Sequence, residues 1–379
     1  MSDRSAIEWT DASWNPIRAG LFEIQDDGSG KERIGWHCEH ISEGCRNCYA
    51  ERINLRLGTG FEFKPGNLRG RPGYHGGGID HPKLFLDEAM LTLPLRWKKP
   101  RKIFVCSMTD LFADFVPYEW IDKMFAVMAL CPQHMFQVLT KRAARMRYYF
   151  ADANLFARID AKIREQWDSA INTQAFLIPL PNVWFGVSCE RQEEADERIP
   201  LLLETPAAVR FVSAEPLLGP IDLREIHIDD DDEDITHIDA LTGDEGLILR
   251  RIGGTRLDWV IAGGESGPNA RPMHPDWARS LRDQCEAARV PFFFKQWGGW
   301  IPHTPRAAGD LGGEVRSGRV KIVHPTGQSD VEVYAATGGR STIPGSRYMA
   351  RVGKKSAGRL LDGKEHNEFP VRAGRAEAA

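Results

Sequence analysis

The sequence predicts an α/β protein built on a parallel (β/α) barrel that is incomplete. Three observations predict it. Six near-continuous apolar runs, at 102–108, 135–139, 183–187, 209–212, 257–262 and 291–294, follow a shorter first strand within 7–17. Strands that are apolar on both faces belong to parallel sheets covered on both sides. Helical patterns separate them near 117–131, 142–170, 191–203 and 275–289, which is the βα alternation of such a sheet. Finally, every run ends in polar residues, and a barrel gathers the C-terminal ends of its strands at one mouth.

In chain order, Ile7-Glu8-Trp9-Thr10 and Ser13-Trp14-Asn15-Pro16 read as the first strand and its exit, since Pro16 cannot continue a ladder. Asp26-Asp27-Gly28-Ser29-Gly30 is a turn signal between two short apolar pieces and predicts an inserted hairpin over 18–37. Tyr49 to Arg56 reads as a helix, followed by a glycine-rich loop over 66–78. The later strand ends carry Thr109-Asp110, Thr140-Lys141-Arg142, Ser188-Cys189-Glu190, Ser213-Ala214-Glu215, Gly263-Gly264-Glu265 and Lys295-Gln296-Trp297. No Gly-x-Gly-x-x-Gly follows the first strand, so a dinucleotide fold lacks its fingerprint.

An insertion at 226–256 holds the run Asp229-Asp230-Asp231-Asp232-Glu233-Asp234, read as a solvated loop rather than a calcium site because EF-hand spacing is missing. Beyond residue 300 the composition turns to Gly, Pro and Thr with short alternating stretches such as Val331-Glu332-Val333-Tyr334. The expected organisation is a barrel over 1–300, a β-rich appendage and closing segment over 301–370, and a disordered tail over 371–379.

Composition narrows the class. With 42% hydrophobic and 27% charged residues the chain is that of a soluble globular protein. No apolar run is long enough for a membrane span, and Met1-Ser2-Asp3-Arg4 lacks a signal peptide's apolar core, so a cytoplasmic location and no membrane partner are expected. A net charge of −4 gives no global attraction to nucleic acid, although Lys98-Lys99 and the segment 347–364 are locally basic. Seven cysteines, an odd number, argue against a disulfide framework.

Three of those seven stand in Cys38-x6-Cys45-x2-Cys48, directly before the predicted helix. Buried thiolates need a metal or cation to neutralise them. Three of them suit a 4Fe–4S cluster with one iron left open, a zinc knuckle completed by His37 or His40, or three unlinked thiols. Cys106, Cys131, Cys189 and Cys285 read as small buried apolar residues, with Cys106 and Cys189 near the mouth.

Several motifs together resemble a known family. They are Trp9-Thr10, Trp14-Asn15-Pro16, the cysteine motif with Tyr49-Ala50-Glu51, Ser213-Ala214-Glu215-Pro216-Leu217-Leu218, Gly263-Gly264-Glu265-Ser266-Gly267, Lys295-Gln296-Trp297-Gly298 and the closing Val352-Gly353-Lys354-Lys355 with Gly358-Arg359-Leu360-Leu361-Asp362-Gly363. The set is similar to a phage-associated three-Cys-motif family of unknown function, grouped with the radical S-adenosylmethionine superfamily. In that family Asn-Pro runs almost directly into the first cysteine, whereas here 18–37 intervene.

The resemblance implies a radical-type TIM barrel in which Cys38, Cys45 and Cys48 each hold one iron of a 4Fe–4S cluster. The open iron would chelate S-adenosylmethionine, whose one-electron cleavage yields a 5′-deoxyadenosyl radical for hydrogen abstraction. It also implies an electron-donor protein and a substrate, with nucleic acid or a phage-related target among the candidates. Under that expectation Gly263, Gly264 and Glu265 would contact the ligand, and Ser188 and Glu190, or Ser213 and Glu215, would hold its ribose. Tyr49 would pack on the cluster or adenine, and Lys141, Arg142 and Lys295 would neutralise a carboxylate or phosphate. The alternative is a non-catalytic binding protein stabilised by zinc or an iron–sulfur cluster on the same barrel.

Overall fold

The computed structural model describes residues 5, 7–24, 30–64, 68, 81–167, 178–228, 236–243, 255–304, 317–327 and 343–371. The run at 229–234, the stretch 331–334 and the tail beyond 371 lie outside them. The chain divides into two compact units, Met1–Val187 with Glu204–Ala208, and Ser188–Leu203 with Val209–Ala379.

The first unit opens with β1 (Ala12–Trp14), β2 (Ile17–Ile24) and β3 (Gly30–Gly35), then α1 (Tyr49–Leu57). After β4 (Lys83–Leu86), α2 (Glu88–Leu91) and α3 (Leu93–Arg96) come β5 (Lys102–Val105), α4 (Tyr118–Leu130), β6 (Met135–Thr140), α5 (Ala143–Phe150), α6 (Leu155–Trp167) and β7 (Val183–Ser188). The second unit contains α7 (Gln192–Glu204) up to Leu203, then β8 (Val209–Ala214), β9 (Ile226–Ile228), β10 (Thr236–Ile238), β11 (Trp259–Gly263), α8 (Pro275–Ala288) and β12 (Phe292–Gln296). It closes with β13 (Trp300–His303), β14 (Val320–Val323), β15 (Arg347–Arg351) and α9 (Lys354–Ala357).

The largest sheet has seven strands in the order β1-β5-β6-β7-β8-β11-β12. Its pairs β1·β5, β5·β6, β6·β7, β8·β11 and β11·β12 are parallel. An α/β fold with a seven-stranded parallel sheet is what an incomplete parallel barrel requires. Burial explains the strand composition: every residue of β7 and β11 is buried, so neither strand has a polar face.

Three expectations need correction. The first strand is confined to Ala12–Trp14, and residues 7–9 form a turn instead. There Thr10 Oγ1 donates to the carbonyls of Ala12 (3.2 Å) and Lys102 (3.0 Å), a local hydrogen-bonding alternative to a ladder. The apolar run at 102–108 ends as a strand at Val105, because Cys106 adopts a positive φ of 55°. The helix over 142–170 is two helices, broken where Asp152 accepts from the Asn154 amide at 2.8 Å. The inserted hairpin is present: β2 and β3 pair antiparallel, and β2 also pairs with β4. A separate antiparallel sheet, β13-β15-β14, occupies the region after residue 300. Among the described residues no helix is long and apolar enough to cross a membrane.

Candidate functional site

In the first unit the cysteine loop is fastened to the ends of β5 and β6. Thr109 Oγ1 donates to the His37 carbonyl at 2.5 Å, and the Tyr49 hydroxyl donates to the Ser107 carbonyl at 2.5 Å. Lys141 Nζ reaches Ser42 Oγ at 3.3 Å, while Arg142 pairs with Glu39 at 3.8 Å and with Asp110 at 3.3 Å. Asp110 is the buried hub of this arrangement. Its carboxylate accepts from Thr140 Oγ1 (2.7 Å), the Lys141 amide (3.0 Å) and the Phe112 amide (2.9 Å). A carboxylate with that many donors is fixed in place and holds Arg142 beside the loop. Asn15, at the exit of β1, accepts from the Met108 amide at 2.9 Å and so ties the same turn to the first strand.

A second anchor was not legible in advance. Asn54 is fully buried, and its side chain accepts from the amides of Trp36 (2.9 Å) and Thr59 (3.2 Å) while donating to Thr59 Oγ1 and the Phe61 carbonyl. A methyl group added at Gly35 or Gly58 would fall 2.3 Å or 2.2 Å from its Oδ1, so both glycines make room for this one amide. Only a polar residue late in an amphipathic helix, beside Gly58 and Gly60, hinted at it.

The three thiols differ electrostatically. Burial pushes Cys38 well up, with Asp110 adding to it. Burial also raises Cys48. Burial would raise Cys45 too, but Lys141 and hydrogen bonds from the backbone at Ile41 and Ser42 bring it below the ordinary thiol value. Lys141 therefore makes Cys45 the thiolate-prone member. Cys45 and Cys48 both disfavour ionisation of Cys38, and Cys45 disfavours that of Cys48. Among the described residues no three His, Cys, Asp or Glu side chains are closed on one metal-sized centre. The donor set nonetheless suits a cationic group that takes three thiolates: two of the thiols are costly to ionise where they stand, and a metal removes that cost.

The neighbouring histidines are placed differently. His37 is 2% exposed, packs edge-on against Phe63 and Phe115, and is held down to about 4 by burial and by Arg142, so its ring is neutral at pH 7. Its Nε2 has no hydrogen-bond partner. His40 lies 3.3 Å from Glu51. Cys106 is buried at the end of β5, and its thiol is raised by burial, by Asp110 and by Cys38.

In the second unit the residues singled out are held by separate partners. Glu215 accepts from Ser213 Oγ at 3.1 Å and pairs with Lys295 at 3.0 Å, and a methyl group at Gly263 would meet its Oε1 at 2.6 Å. Thus Ser213, Glu215, Gly263 and Lys295 come together. Glu190 is fully buried against Arg198 (3.3 Å), which also donates to the Ser188 carbonyl at 2.7 Å. Glu265 accepts from Arg271 through Nε (3.0 Å), Nη2 (2.7 Å) and the backbone amide (2.7 Å). Gly264 faces the Trp297 carbonyl, which a methyl group would approach to 2.1 Å. In this conformation, close backbone packing accounts for that glycine. Cys189 is buried, with its thiol 3.6 Å from the Glu194 carbonyl.

A sequence-family profile described as a protein of unknown function, DUF5131, matches residues 33–370. No curated protein and no solved structure matches the chain.

Proposed function

We propose that this chain, which belongs to the DUF5131 family of unknown function, is a radical S-adenosylmethionine-type enzyme. In this reading Cys38, Cys45 and Cys48 hold a 4Fe–4S cluster, and S-adenosylmethionine is the second cofactor. The observation that carries the reading is the loop itself. Three thiols within it interact, and Thr109, Lys141 and Arg142 bind that loop to the C-terminal ends of two adjacent parallel strands. In β/α folds those ends are where catalytic groups stand.

When bound, the cluster would supply the electron for reductive cleavage of the sulfonium and so a carbon radical for hydrogen abstraction. The chain's own residues do the rest. Lys141 lowers the cost of a thiolate at Cys45 and Arg142 at Cys38. Thr109 and Tyr49 hold the loop in place through the His37 and Ser107 carbonyls. An electron-donor protein is required as a partner, and a phage-related target or nucleic acid is the substrate class suggested by the family resemblance.

The test is reductive cleavage of S-adenosylmethionine by anaerobically reconstituted protein with a chemical reductant, read as 5′-deoxyadenosine. Formation of that product in wild type and its loss in Cys45→Ser supports the reading. A reconstituted protein that carries iron and sulfide yet forms none overturns the enzymatic part of it.

One observation favours a second reading. The neutral Nε2 of His37, one residue before Cys38, has no hydrogen bond and lies 4.0 Å from Glu39 Oε1; it is suited to complete a Cys₃His zinc site in a binding protein. One zinc per chain without sulfide would support that reading.

A further inference from the structure

The ribbon formed by β9 and β10 carries a feature that is independent of the cysteine loop. Its register places Ile226 opposite Ile238, His227 opposite His237, and Ile228 opposite Thr236. Ile226 and Ile238 are buried, so the alternation of a strand turns the intervening pair to the other face. Both imidazoles therefore leave the same side of the ribbon from directly opposed positions. Their ring centroids are 5.4 Å apart, tilted by 56°. Zinc–nitrogen bonds of about 2.0–2.1 Å set two imidazole centroids about 5 Å apart around a tetrahedral ion.

The ribbon is also held where a metal site needs rigidity. The His227 amide donates to Asp196 at 3.0 Å, and Gln192 on the same helix donates to Asp196 (2.8 Å) and to the carbonyls of Asp222 and Glu225. One ligand is thus mounted on backbone already braced against α7.

We infer that His227 and His237 form a cross-strand bidentate site for a divalent transition-metal ion of the zinc class, with water completing the coordination. Imidazole pairs select zinc, nickel or copper over magnesium and calcium, which prefer oxygen donors. A bound ion would pin β9 to β10.

The test uses full-length protein, zinc alone, and diethyl pyrocarbonate, with carbethoxylation of each histidine read by mass spectrometry. This readout is specific to each imidazole, so zinc taken up by thiols does not interfere. The expected result is that increasing zinc protects His227 and His237 together at one midpoint, while magnesium protects neither. In His237→Gln, protection of His227 should require about tenfold more zinc or greater, since half of the protein ligands are gone. His237 is exposed, so this substitution leaves the fold intact. Modification rates that zinc leaves unchanged, or protection of one histidine that survives loss of the other, would overturn the site.

Discussion

The cysteine loop of the first unit and the strand ends of the second both carry the charged residues that the sequence singles out, yet they balance them differently. In the second unit each carboxylate has its own cation: Glu190 with Arg198, Glu215 with Lys295, Glu265 with Arg271. In the first unit Arg142 pairs with Asp110 and Glu39 but also acts on Cys38, and Lys141 acts on Cys45, while burial raises both Cys38 and Cys48. A closed ion pair is structurally complete as it stands. Clustered thiols that cannot all ionise are not, and they are where a cationic group would change the energetics most.

Four measurements test this contrast. The largest stability effect is expected at Arg198. Arg198→Ala leaves Glu190 charged in a fully buried position, and thermal or denaturant unfolding should show a loss of about 3–5 kcal/mol. A loss below 1 kcal/mol would mean that the pair is solvated in solution. Next is Asn54→Leu, which strands the Trp36 and Thr59 amides and the Phe61 carbonyl. About 1–3 kcal/mol should be lost in the same assay, together with faster proteolysis of the cysteine loop.

A smaller and more specific effect concerns reactivity. In metal-free protein Cys45 should be alkylated before Cys38 and Cys48 at neutral pH, as mapped by mass spectrometry. Lys141→Met should slow Cys45 selectively. Equal rates for all three thiols would remove the proposed role of Lys141.

The smallest effect is a pH dependence in the second unit. Asp362 accepts hydrogen bonds from Arg279 and Arg282, which hold its carboxyl down to about 2 from 3.8. A depressed carboxyl stabilises the fold fully above its unfolded value and loses that contribution as pH falls. The loss should therefore run from about pH 4 down to about pH 2. Because Asp362 is partly exposed, at most about 1 kcal/mol is at stake. Unfolding of Asp362→Asn against pH should lack that component; an unchanged profile would show that the clamp contributes nothing.

Much of the fold was legible because its cause is local and periodic. Fully buried strands such as Val183–Ser188 and Trp259–Gly263 write their environment into consecutive apolar residues. Helix α8 begins at Pro275 behind the His274 cap, and Arg289 ends it in the left-handed conformation, within a residue of the reading. What escaped depends on partners distant in sequence. Nothing in the run at 102–108 says that Cys106 will turn out of the strand to hydrogen-bond the Trp14 carbonyl. The closing motif was recognisable as a motif but not as a strap, although Gly358 and Leu360 accept from the Trp297 backbone and indole.

The site was legible as residue types and only partly as contacts. Asp110, Lys141 and Arg142 were chosen as rim residues, and they turn out to secure the cysteine loop. Thr109 and Asn54 secure it as well, but a threonine at a strand end and an asparagine in a helix are too common to attract notice. Glu265 looked available for a ligand because Arg271, six residues later, carries no signal that it will fold back in a bidentate grip.

The proposed function requires Cys38, Cys45 and Cys48 to bind one iron–sulfur cluster together. The most direct test is iron, sulfide and zinc analysis of anaerobically purified wild type and the three single cysteine-to-serine variants. Near-stoichiometric iron and sulfide in wild type, about four of each per chain, with loss in every variant, is the expected result. Zinc without sulfide, or iron and sulfide that survive all three substitutions, would contradict it.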